Sequence, residues 1–272
     1  MKYETLHGIQ ISKIGFGTWT VGGDSSADPA LDPDSRAALR SALELGYTHF
    51  DTAEYYANGH AEELIGSVVR ETKTQREHLF ITTKVSAEHL KHDDVLHSCE
   101  NSLRRLRMDH LDLYLIHWPN PRIELEETFR ALNQLVRQGK VKHLGVSNFK
   151  LKMLKQSQGL SETPLLTNQV PYSLPEGTYV ENGVVGYCQQ NDILITAYSP
   201  VKFRDMKVNQ TLRAIAQMHN ATPFQIALAW LIAQPRVITI PMSLDPQHQQ
   251  ENLEAADIEL SAPEFEQLNN LY

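Results

Sequence analysis

The sequence alternates short apolar runs with polar, amphipathic stretches, and this alternation constrains the fold more than any other feature. Eight apolar runs follow one another: ISKIGFGTW, YTHFDTA, LFITTKV, LDLYLIHW, VKHLGVSN, LLTNQV, ILITAYS and VITIPMS. Such runs between helix-prone segments are typical of a parallel sheet with crossover helices. We expect the helices at roughly 34–46, 61–72, 93–107, 124–138, 150–158, 178–190, 208–219 and 224–234.

Polar residues close the successive runs about once every 30 residues, which is the length of a βα unit. They are Asp51, Lys84, His117, Ser147, Gln169, Tyr198 and Ser243. Eight such units close into a barrel whose catalytic groups come from the carboxyl ends of the strands. We therefore predict an α/β fold, a (β/α)8 TIM barrel, with an open doubly wound sheet as the alternative. The chain has neither GxGxxG nor GxxxxGK[ST], which weakens that alternative and directs phosphate contacts to loops and helix N-termini after the last strands.

The first residues predict a separate element at the bottom of this barrel. Residues 2–7 and 9–12 alternate polar and apolar side chains around His7-Gly8, the pattern of a β-hairpin. We expect this hairpin to close the bottom of the barrel. Since no Gly/Ser-rich or Pro-rich linker interrupts the chain, residues 1–272 are predicted to form a single domain.

Charge and composition exclude several classes of partner. With Lys and Arg at 25 against Asp and Glu at 33, the net charge of −8 opposes binding to nucleic acid. No signal peptide or long apolar run is present, so we expect a cytoplasmic protein without a membrane partner. Cys99 and Cys188 suit reduced thiols. The acid- and histidine-rich segment 88–97 lacks an HExxH pair, so no metal site is predicted, and no feature predicts a specific protein partner.

Four side chains at consecutive strand ends suggest proton donation to a bound molecule. Asp51, Lys84 and His117 close three runs, and Tyr56 lies five residues after Asp51. An ammonium beside a phenol favours the phenolate, so Lys84 is expected to lower the pKa of Tyr56. Asp51 could hold Lys84 through a charge-assisted hydrogen bond, and His117 could donate to a carbonyl oxygen.

Lys84 permits another reading, since barrel lyases use a strand-end lysine as a Schiff-base nucleophile. Asp51 argues against it, because a neighbouring carboxylate keeps the amine protonated.

Several segments in register carry a family resemblance. Between Gly15 and about Asn252, seven segments resemble the signature segments of the aldo-keto reductases. They are HFDTAEYYAN, FITTKV, LIHWP, GVSNF, TNQVPY, AYSP and IPMS with its later EN. Within the family, the length and short loops resemble bacterial 2,5-diketo-D-gluconate reductases. The resemblance implies an NAD(P)H-dependent enzyme that reduces aldehydes and ketones to alcohols. Because the same fold also occurs in non-enzymatic proteins, the resemblance leaves a nucleotide-sensing interaction subunit as a third hypothesis.

The resemblance also implies roles for residues. The catalytic tetrad would be Asp51, Tyr56, Lys84 and His117, with Tyr56 as the acid, because the family places its tyrosine five positions after the aspartate. Ser147, Asn148 and Gln169 match the positions that hold the nicotinamide carboxamide, and Tyr198 matches the aromatic residue on which the nicotinamide ring stacks. Ser199 and the short loop behind it resemble pyrophosphate contacts, while Ser243, Glu251 and Asn252 fall where the family holds the adenosine half.

One departure from the family pattern concerns the cofactor. Met242 and His248 stand where Lys and Arg usually hold the 2′-phosphate of NADPH, and a histidine is mostly neutral at pH 7. Ser243 and backbone N–H groups are expected to remain available to a phosphate. NADPH is therefore the expected cofactor and NADH the alternative.

The substrate side is predicted from three aromatic residues and from the end of the chain. Trp19, Tyr55 and Trp118 are expected to line the substrate pocket. The chain stops at Tyr272, which leaves no long C-terminal flap for a deep pocket. We expect a small-molecule carbonyl substrate, such as a small polar carbonyl, an α-dicarbonyl or a keto sugar.

Overall fold

The N-terminal hairpin forms where the alternation predicts it. The computed structural model describes residues 2–201 and 210–271. Strand β1 (Tyr3–Leu6) pairs antiparallel with β2 (Ile9–Ser12), in register from Leu6 opposite Ile9. His7 and Gly8 both have left-handed φ angles of 49° and 79°, as a tight two-residue hairpin turn requires.

The remaining strands of the described chain form a closed parallel barrel. They are β3 (Phe16–Gly17), β4 (His49–Asp51), β5 (Phe80–Val85), β6 (Leu111–Ile116), β7 (Val141–Ser147), β8 (Leu165–Pro171), β9 (Leu194–Tyr198) and β10 (Val237–Thr239). Each pairs in parallel with its neighbour in chain order. A parallel bridge between Ile14 and Thr239 closes the ring. The predicted (β/α)8 barrel is confirmed, and the doubly wound alternative is wrong.

Glycine permits the close approach of backbones at this closing seam. A Cβ atom on Gly17 would lie 2.6 Å from the carbonyl oxygen of Ile240, well inside van der Waals contact. Gly17 also donates its N–H to the carbonyl oxygen of Pro241 at 3.1 Å. A larger residue at this position would push the first and last strands apart.

The helices follow the predicted segments, except that one predicted helix is divided in two and two further helices, Pro246–Glu254 and Ala262–Asn269, follow the last strand. The described helices are α1 (Asp32–Glu44), α2 (His60–Glu71), α3 (His92–Leu106), α4 (Leu125–Arg137), α5 (Leu151–Leu160), α6 (Thr178–Glu181), α7 (Val184–Gln190), α8 (Gln210–Met218), α9 (Pro223–Ala233), α10 (Pro246–Glu254) and α11 (Ala262–Asn269). The helix predicted at 178–190 is two helices, because Gly183 takes a left-handed φ of 80° between them. Residues 208 and 209 of the helix predicted at 208–219 lie outside the described residues.

The hairpin closes the bottom of the barrel through apolar contacts. Leu6 and Ile11 of the hairpin join a buried cluster with residues of the barrel interior, namely Leu113, Leu115, Leu166, Leu194 and Ile238. Burying a leucine or isoleucine side chain contributes about 1.5–3 kcal/mol, so these contacts fix the hairpin in place. Among the described residues, no helix combines the length and apolar character that a membrane crossing needs.

Candidate active site

The carboxyl ends of β4 and β5 bring three of the four predicted tetrad residues into one hydrogen-bonded chain. The ammonium of Lys84 donates to Asp51 Oδ1 at 2.5 Å, to the Tyr56 hydroxyl at 3.2 Å and to the carbonyl oxygen of Thr52 at 2.7 Å. The Lys84 and Asp51 side chains are 0% and 1% exposed. An ion pair so deeply buried is stable only when further hydrogen bonds satisfy both partners, as they do here.

The two adjacent tyrosines occupy different environments. Tyr56 is 8% exposed and Tyr55 is 47% exposed. Tyr56 begins a 3-10 turn in which Ala57 and Asn58 have left-handed φ angles of 49° and 53°. Such a turn is strained for an alanine, so the surrounding contacts must hold it; one is the 2.7 Å hydrogen bond from the Ala57 N–H to the Asp24 carbonyl oxygen. Tyr56, not Tyr55, therefore contacts Lys84.

His117 directly follows β6 and lies edge-on to Tyr56. The two ring centroids are 5.7 Å apart, with the ring planes at 77°. Burial, reinforced by the positive charge of Lys84, lowers the pKa of His117 to about 3. The imidazole is consequently neutral at pH 7, and a neutral imidazole carries one N–H that can donate to an oxygen.

The expected lowering of the Tyr56 pKa is wrong in its net direction. Burial of the phenol raises the pKa of Tyr56 above its ordinary value by more than the positive charge of Lys84 lowers it, and Asp51 adds to the rise. The sequence shows the charge of Lys84 but not the desolvation of the phenol. Tyr56 is therefore a protonated phenol at neutral pH, the form that an acid needs.

The protonation state of Lys84 decides whether its amine could act as a Schiff-base nucleophile. Burial by itself would lower the pKa of Lys84, but Asp51 and Tyr56 raise it above its ordinary value. The amine is held as an ammonium ion without a free lone pair, so the structure gives no support to a nucleophilic lysine. In the described residues, no group of three or more His, Cys, Asp and Glu side chains could hold a metal ion.

Buried histidines make the stability of the protein depend on pH. Burial lowers the pKa of His117 to about 3 and that of His49 to about 4. The unfolded chain binds these protons near pH 6.5, so the free energy of unfolding is highest above that pH and falls as the pH decreases from 6.5 toward 4. Each histidine contributes a slope of at most about 1.4 kcal/mol per pH unit. In urea unfolding at pH 7, 6 and 5, His117→Gln should lose stability less steeply than the parent. Equal slopes in the two proteins would contradict the depressed pKa.

The residues expected at the nicotinamide lie together at the ends of β7, β8 and β9. Asn148 adopts a left-handed φ of 64°, which asparagine tolerates better than most residues. Its side-chain N–H groups donate to the His117 carbonyl oxygen at 3.1 Å and to Ser147 Oγ at 2.9 Å. Its Oδ1 accepts from the hydroxyl of the half-buried Tyr198 at 2.9 Å. Gln169 lies on β8 beside Ser147 of β7.

These partners leave a set of groups that fits a carboxamide. Asn148 Oδ1 retains a second lone pair, and Gln169 Oε1 accepts no hydrogen bond in the described chain; both can accept from a carboxamide N–H. Gln169 Nε2 makes one hydrogen bond, so its second N–H can donate to a carboxamide oxygen. The ring of Tyr198 is partly exposed beside these groups, as stacking requires.

The residues expected at the adenosine half lie around the N-terminus of α10. Asp245 caps this helix by accepting from the Gln247 N–H at 2.8 Å, and its own N–H donates to Ser243 Oγ at 3.1 Å. Fewer groups are therefore free for a phosphate than the sequence led us to expect.

The other residues expected at the adenosine and pyrophosphate contacts have varied surroundings. His248 is exposed, and Glu251 accepts from the Gln247 side chain at 2.9 Å. Asn252 lies near the buried Tyr47, whose hydroxyl donates to the Gln249 carbonyl oxygen at 2.8 Å. Ser199 is exposed, and residues 202–209 of the loop behind it lie outside the described residues.

Sequence reasoning missed three side chains around the site. Glu54 accepts from the Ser86 N–H at 2.7 Å and from His89 at 2.9 Å, which ties the loops after β4 and β5 together. Gln249 is fully buried and donates to the carbonyl oxygens of Ala38 and Ser243. Asp245 was detectable, since Asp-Pro is a common helix start; Glu54 and Gln249 left no signal in the local pattern.

The three predicted pocket residues are exposed aromatic side chains: Trp19 and Tyr55 lie beside Tyr56, and Trp118 directly follows His117 in the chain. Trp19 stacks on Tyr55 with centroids 6.1 Å apart and planes at 4°, and it meets the Tyr56 ring edge-on at 4.9 Å. Trp19, Tyr55 and Trp118 are 43%, 47% and 50% exposed. Large aromatic surfaces left this open beside a buried polar relay are typical of a binding site.

The barrel, the buried tyrosine beside an ammonium and the polar groups that fit a carboxamide define a class of protein: the nicotinamide-dependent carbonyl reductases of the (β/α)8 type. Comparison with known proteins makes the class specific. Residues 13–272 match the Aldo/keto reductase family. The chain belongs to this family.

Individual relatives and solved structures agree with this family assignment. The chain is 35% identical to a methylglyoxal reductase of Escherichia coli, over 97% of this chain and 92% of that protein. It is 34% identical to a glyoxal reductase of Bacillus subtilis, over 98% and 91%. A thermostable aldo-keto reductase solved with the inhibitor epalrestat superposes with a TM-score of 0.97 at 43% identity, covering 100% of both chains. An aldo/keto reductase of Klebsiella pneumoniae in complex with NADP and acetate superposes with a TM-score of 0.87 at 35% identity, covering 97% and 93%. The protein is thus an NAD(P)H-dependent carbonyl reductase, and the lyase and interaction-subunit hypotheses find no support.

Proposed function

We propose that this enzyme reduces small polar carbonyl compounds, 1,2-dicarbonyls of the methylglyoxal type above all, with Tyr56 as the proton donor. The observation that carries the proposal is the buried Asp51–Lys84–Tyr56 chain, which ends at a phenol between open aromatic walls. The relatives named as methylglyoxal and glyoxal reductases support the substrate class. Keto sugars belong to the same range of small, polar carbonyls.

The proposed mechanism assigns one task to each member of the tetrad. When bound, the reduced nicotinamide supplies the hydride that reaches the carbonyl carbon. Tyr56 gives its phenolic proton to the carbonyl oxygen, and Lys84, 3.2 Å from the hydroxyl, stabilises the phenolate left behind. Asp51 holds the ammonium. His117, neutral at pH 7, donates an N–H to the same oxygen and stabilises its developing negative charge.

The remaining assignments are those that the family resemblance implies. Ser147, Asn148 and Gln169 hold the carboxamide, Tyr198 stacks on the nicotinamide ring, Ser199 contacts the pyrophosphate, and Ser243, Glu251 and Asn252 contact the adenosine half. Trp19, Tyr55 and Trp118 form the substrate walls. We further propose that residues 1–272 act as one barrel domain in the cytoplasm, where the buried, unpaired Cys99 and Cys188 would stay reduced.

A comparison of small and large carbonyl compounds tests the proposed substrate range. Methylglyoxal-like dicarbonyls should give a higher kcat/KM than any steroid ketone, because walls that are 43–50% exposed cannot enclose a large apolar body. Each CH₂ left in water forfeits about 0.8 kcal/mol of binding. The measurement is oxidation of reduced nucleotide over a panel of aldehydes, dicarbonyls, ketoses and steroid ketones. A steroid that exceeds every dicarbonyl in kcat/KM would refute the open site.

NADPH is the proposed cofactor, with weaker discrimination against NADH than is usual in the family. NADP and NADPH complexes of related structures favour NADPH. The recognition of a 2′-phosphate is weakened in two ways. Met242 and the exposed His248 supply no permanent positive charge, and the carboxylate of Asp245 repels a phosphate.

The double change Met242→Lys with His248→Arg should therefore lower the Kd for NADPH. Each added charge-assisted hydrogen bond contributes about 1.5–3 kcal/mol, or roughly tenfold or more in affinity. The Kd for NADH should stay nearly constant, since NADH has no 2′-phosphate. Titration of protein fluorescence at pH 7 measures both. If the variant binds NADPH no tighter than the parent, the 2′-phosphate is held by other residues.

A further inference from the structure

A hydrogen bond crosses the barrel from the nicotinamide side to the proton-donating side. Gln169 Nε2 on β8 donates to Asp51 Oδ2 on β4 at 2.7 Å. In the ring of eight strands, β4 and β8 stand four positions apart, so they face each other across the barrel. Both side chains are buried, at 2% and 1% exposure. A hydrogen bond to a carboxylate in such a dry environment is stronger than the same bond in water.

The backbone of Gln169 is itself held in place. Its carbonyl oxygen accepts from Ser147 Oγ at 3.0 Å and from the Asn148 N–H at 2.9 Å. The strand pairs with β7 on one side and with β9 on the other. The side-chain amide therefore extends from a fixed point, and its Nε2 is the atom that reaches Asp51.

The two oxygens of Asp51 consequently have different partners. Oδ1 accepts from the ammonium of Lys84 at 2.5 Å, and Oδ2 accepts from the Gln169 amide at 2.7 Å. A carboxylate held at both oxygens cannot rotate about its Cβ–Cγ bond. Without the amide, Asp51 could turn, and the ammonium that it holds could move away from the Tyr56 hydroxyl.

We propose that Gln169 is a positioning residue of the proton relay, which fixes Asp51 and through it the Lys84–Tyr56 pair, in addition to lining the nicotinamide site. This inference rests on the proposed function of Tyr56 as proton donor. Because the amide is planar, a ligand bonded to Gln169 Oε1 also restricts the plane that carries Nε2. Nucleotide binding and the geometry of the proton donor are thereby coupled through one side chain.

Two substitutions separate positioning from mere contact with the cofactor. Gln169→Met has a similar size and no donor. Gln169→Glu keeps the shape, and its side chain can donate to Asp51 only while it is protonated. With saturating nucleotide and substrate, we expect Gln169→Met to lower kcat for reduction about tenfold, less than the roughly 100-fold that a 1 Å misplacement can cost. We expect kcat of Gln169→Glu to fall as the pH rises and the new carboxyl group loses its proton. The parent and Gln169→Met should not show this pH-dependent fall in kcat.

Asn133→Leu is the matched control. Asn133 is a buried amide on α4 that donates to the Leu160 carbonyl oxygen, away from the strand ends that form the site. Its replacement also deletes a buried amide, so it should lower Tm and leave both kcat and the pH profile unchanged. If Gln169→Met raises only the Kd for NADPH, and Gln169→Glu shows the pH profile of the parent, Gln169 only contacts the cofactor and the proposal is overturned.

A measurement without turnover separates this inference from the proposed function. In nucleotide-free protein, the Tm changes caused by Asp51→Asn and Gln169→Met should not add in the double variant, because the two residues share one hydrogen bond. Additive changes would overturn the inference even if the parent reduces carbonyls normally. A parent that reduces none of the carbonyls would overturn the proposed function, while the Tm measurement would still report the bond.

Discussion

Tyr56→Phe is expected to lower kcat for carbonyl reduction by about 10²–10⁴-fold, the usual cost of losing a general acid. The phenol is 8% exposed and accepts from the Lys84 ammonium at 3.2 Å, and phenylalanine keeps the ring but has no proton to donate. The ring remains and the nicotinamide contacts lie on other strands, so the Kd for NADPH should hardly change. Steady-state kinetics and nucleotide titration measure the two quantities.

Tyr55→Phe is the matched control, since it removes the same atom from the adjacent position. Tyr55 is 47% exposed, and its ring contributes a substrate wall. Its loss of the hydroxyl should alter KM by a small factor and leave kcat within the same order of magnitude. The assignment fails if Tyr55→Phe abolishes turnover while Tyr56→Phe retains it.

The buried ion pair leads to the second large effect. Asp51→Asn should destabilise the protein by about 3–5 kcal/mol, because it leaves the ammonium of a lysine with 0% exposure without a counter-charge. Lys84→Met removes the cation instead and leaves the carboxylate with Gln169. The double variant Asp51→Leu with Lys84→Met contains no buried charge at this position, and it should be more stable than either single variant.

Urea unfolding at pH 7 measures the three free energies. The double variant should also lack catalytic activity, which would show that the pair is retained for chemistry and not for stability. A double variant less stable than both single variants would mean that the ion pair stabilises the fold, contrary to the general behaviour of buried pairs.

The interior of this barrel shows why charge and burial must be considered together. From the sequence, Lys84 beside Tyr56 indicates a lowered pKa for the phenol. In the structure, burial of the same phenol outweighs the ammonium, and the pKa rises. The difference arises because the cost of desolvation depends on everything that surrounds the hydroxyl, whereas the sequence shows only the nearest charge.

Local conformation limited the sequence analysis in a similar way. The segment 178–190 has the composition of one helix, but a left-handed backbone at Gly183 divides it into two. Helix α10 begins at an Asp-Pro pair that is visible in the sequence, yet the hydrogen bond between the Asp245 N–H and Ser243 Oγ depends on the loop conformation. Such bonds decide which groups are free for a ligand.

By itself, the sequence predicted the architecture and indicated which groups react. Strand-length apolar runs closed by polar residues predict a parallel barrel, because a strand buried on both faces must be apolar until it reaches the rim. The family resemblance, which places a tyrosine five positions after the aspartate, favoured Tyr56 over Tyr55. The tertiary structure alone decided how those groups are held. The hydrogen bond from Gln169 to Asp51 joins residues 118 positions apart on opposite strands. Its existence depends on barrel closure and strand register, which bring distant positions together and leave no local pattern in the sequence.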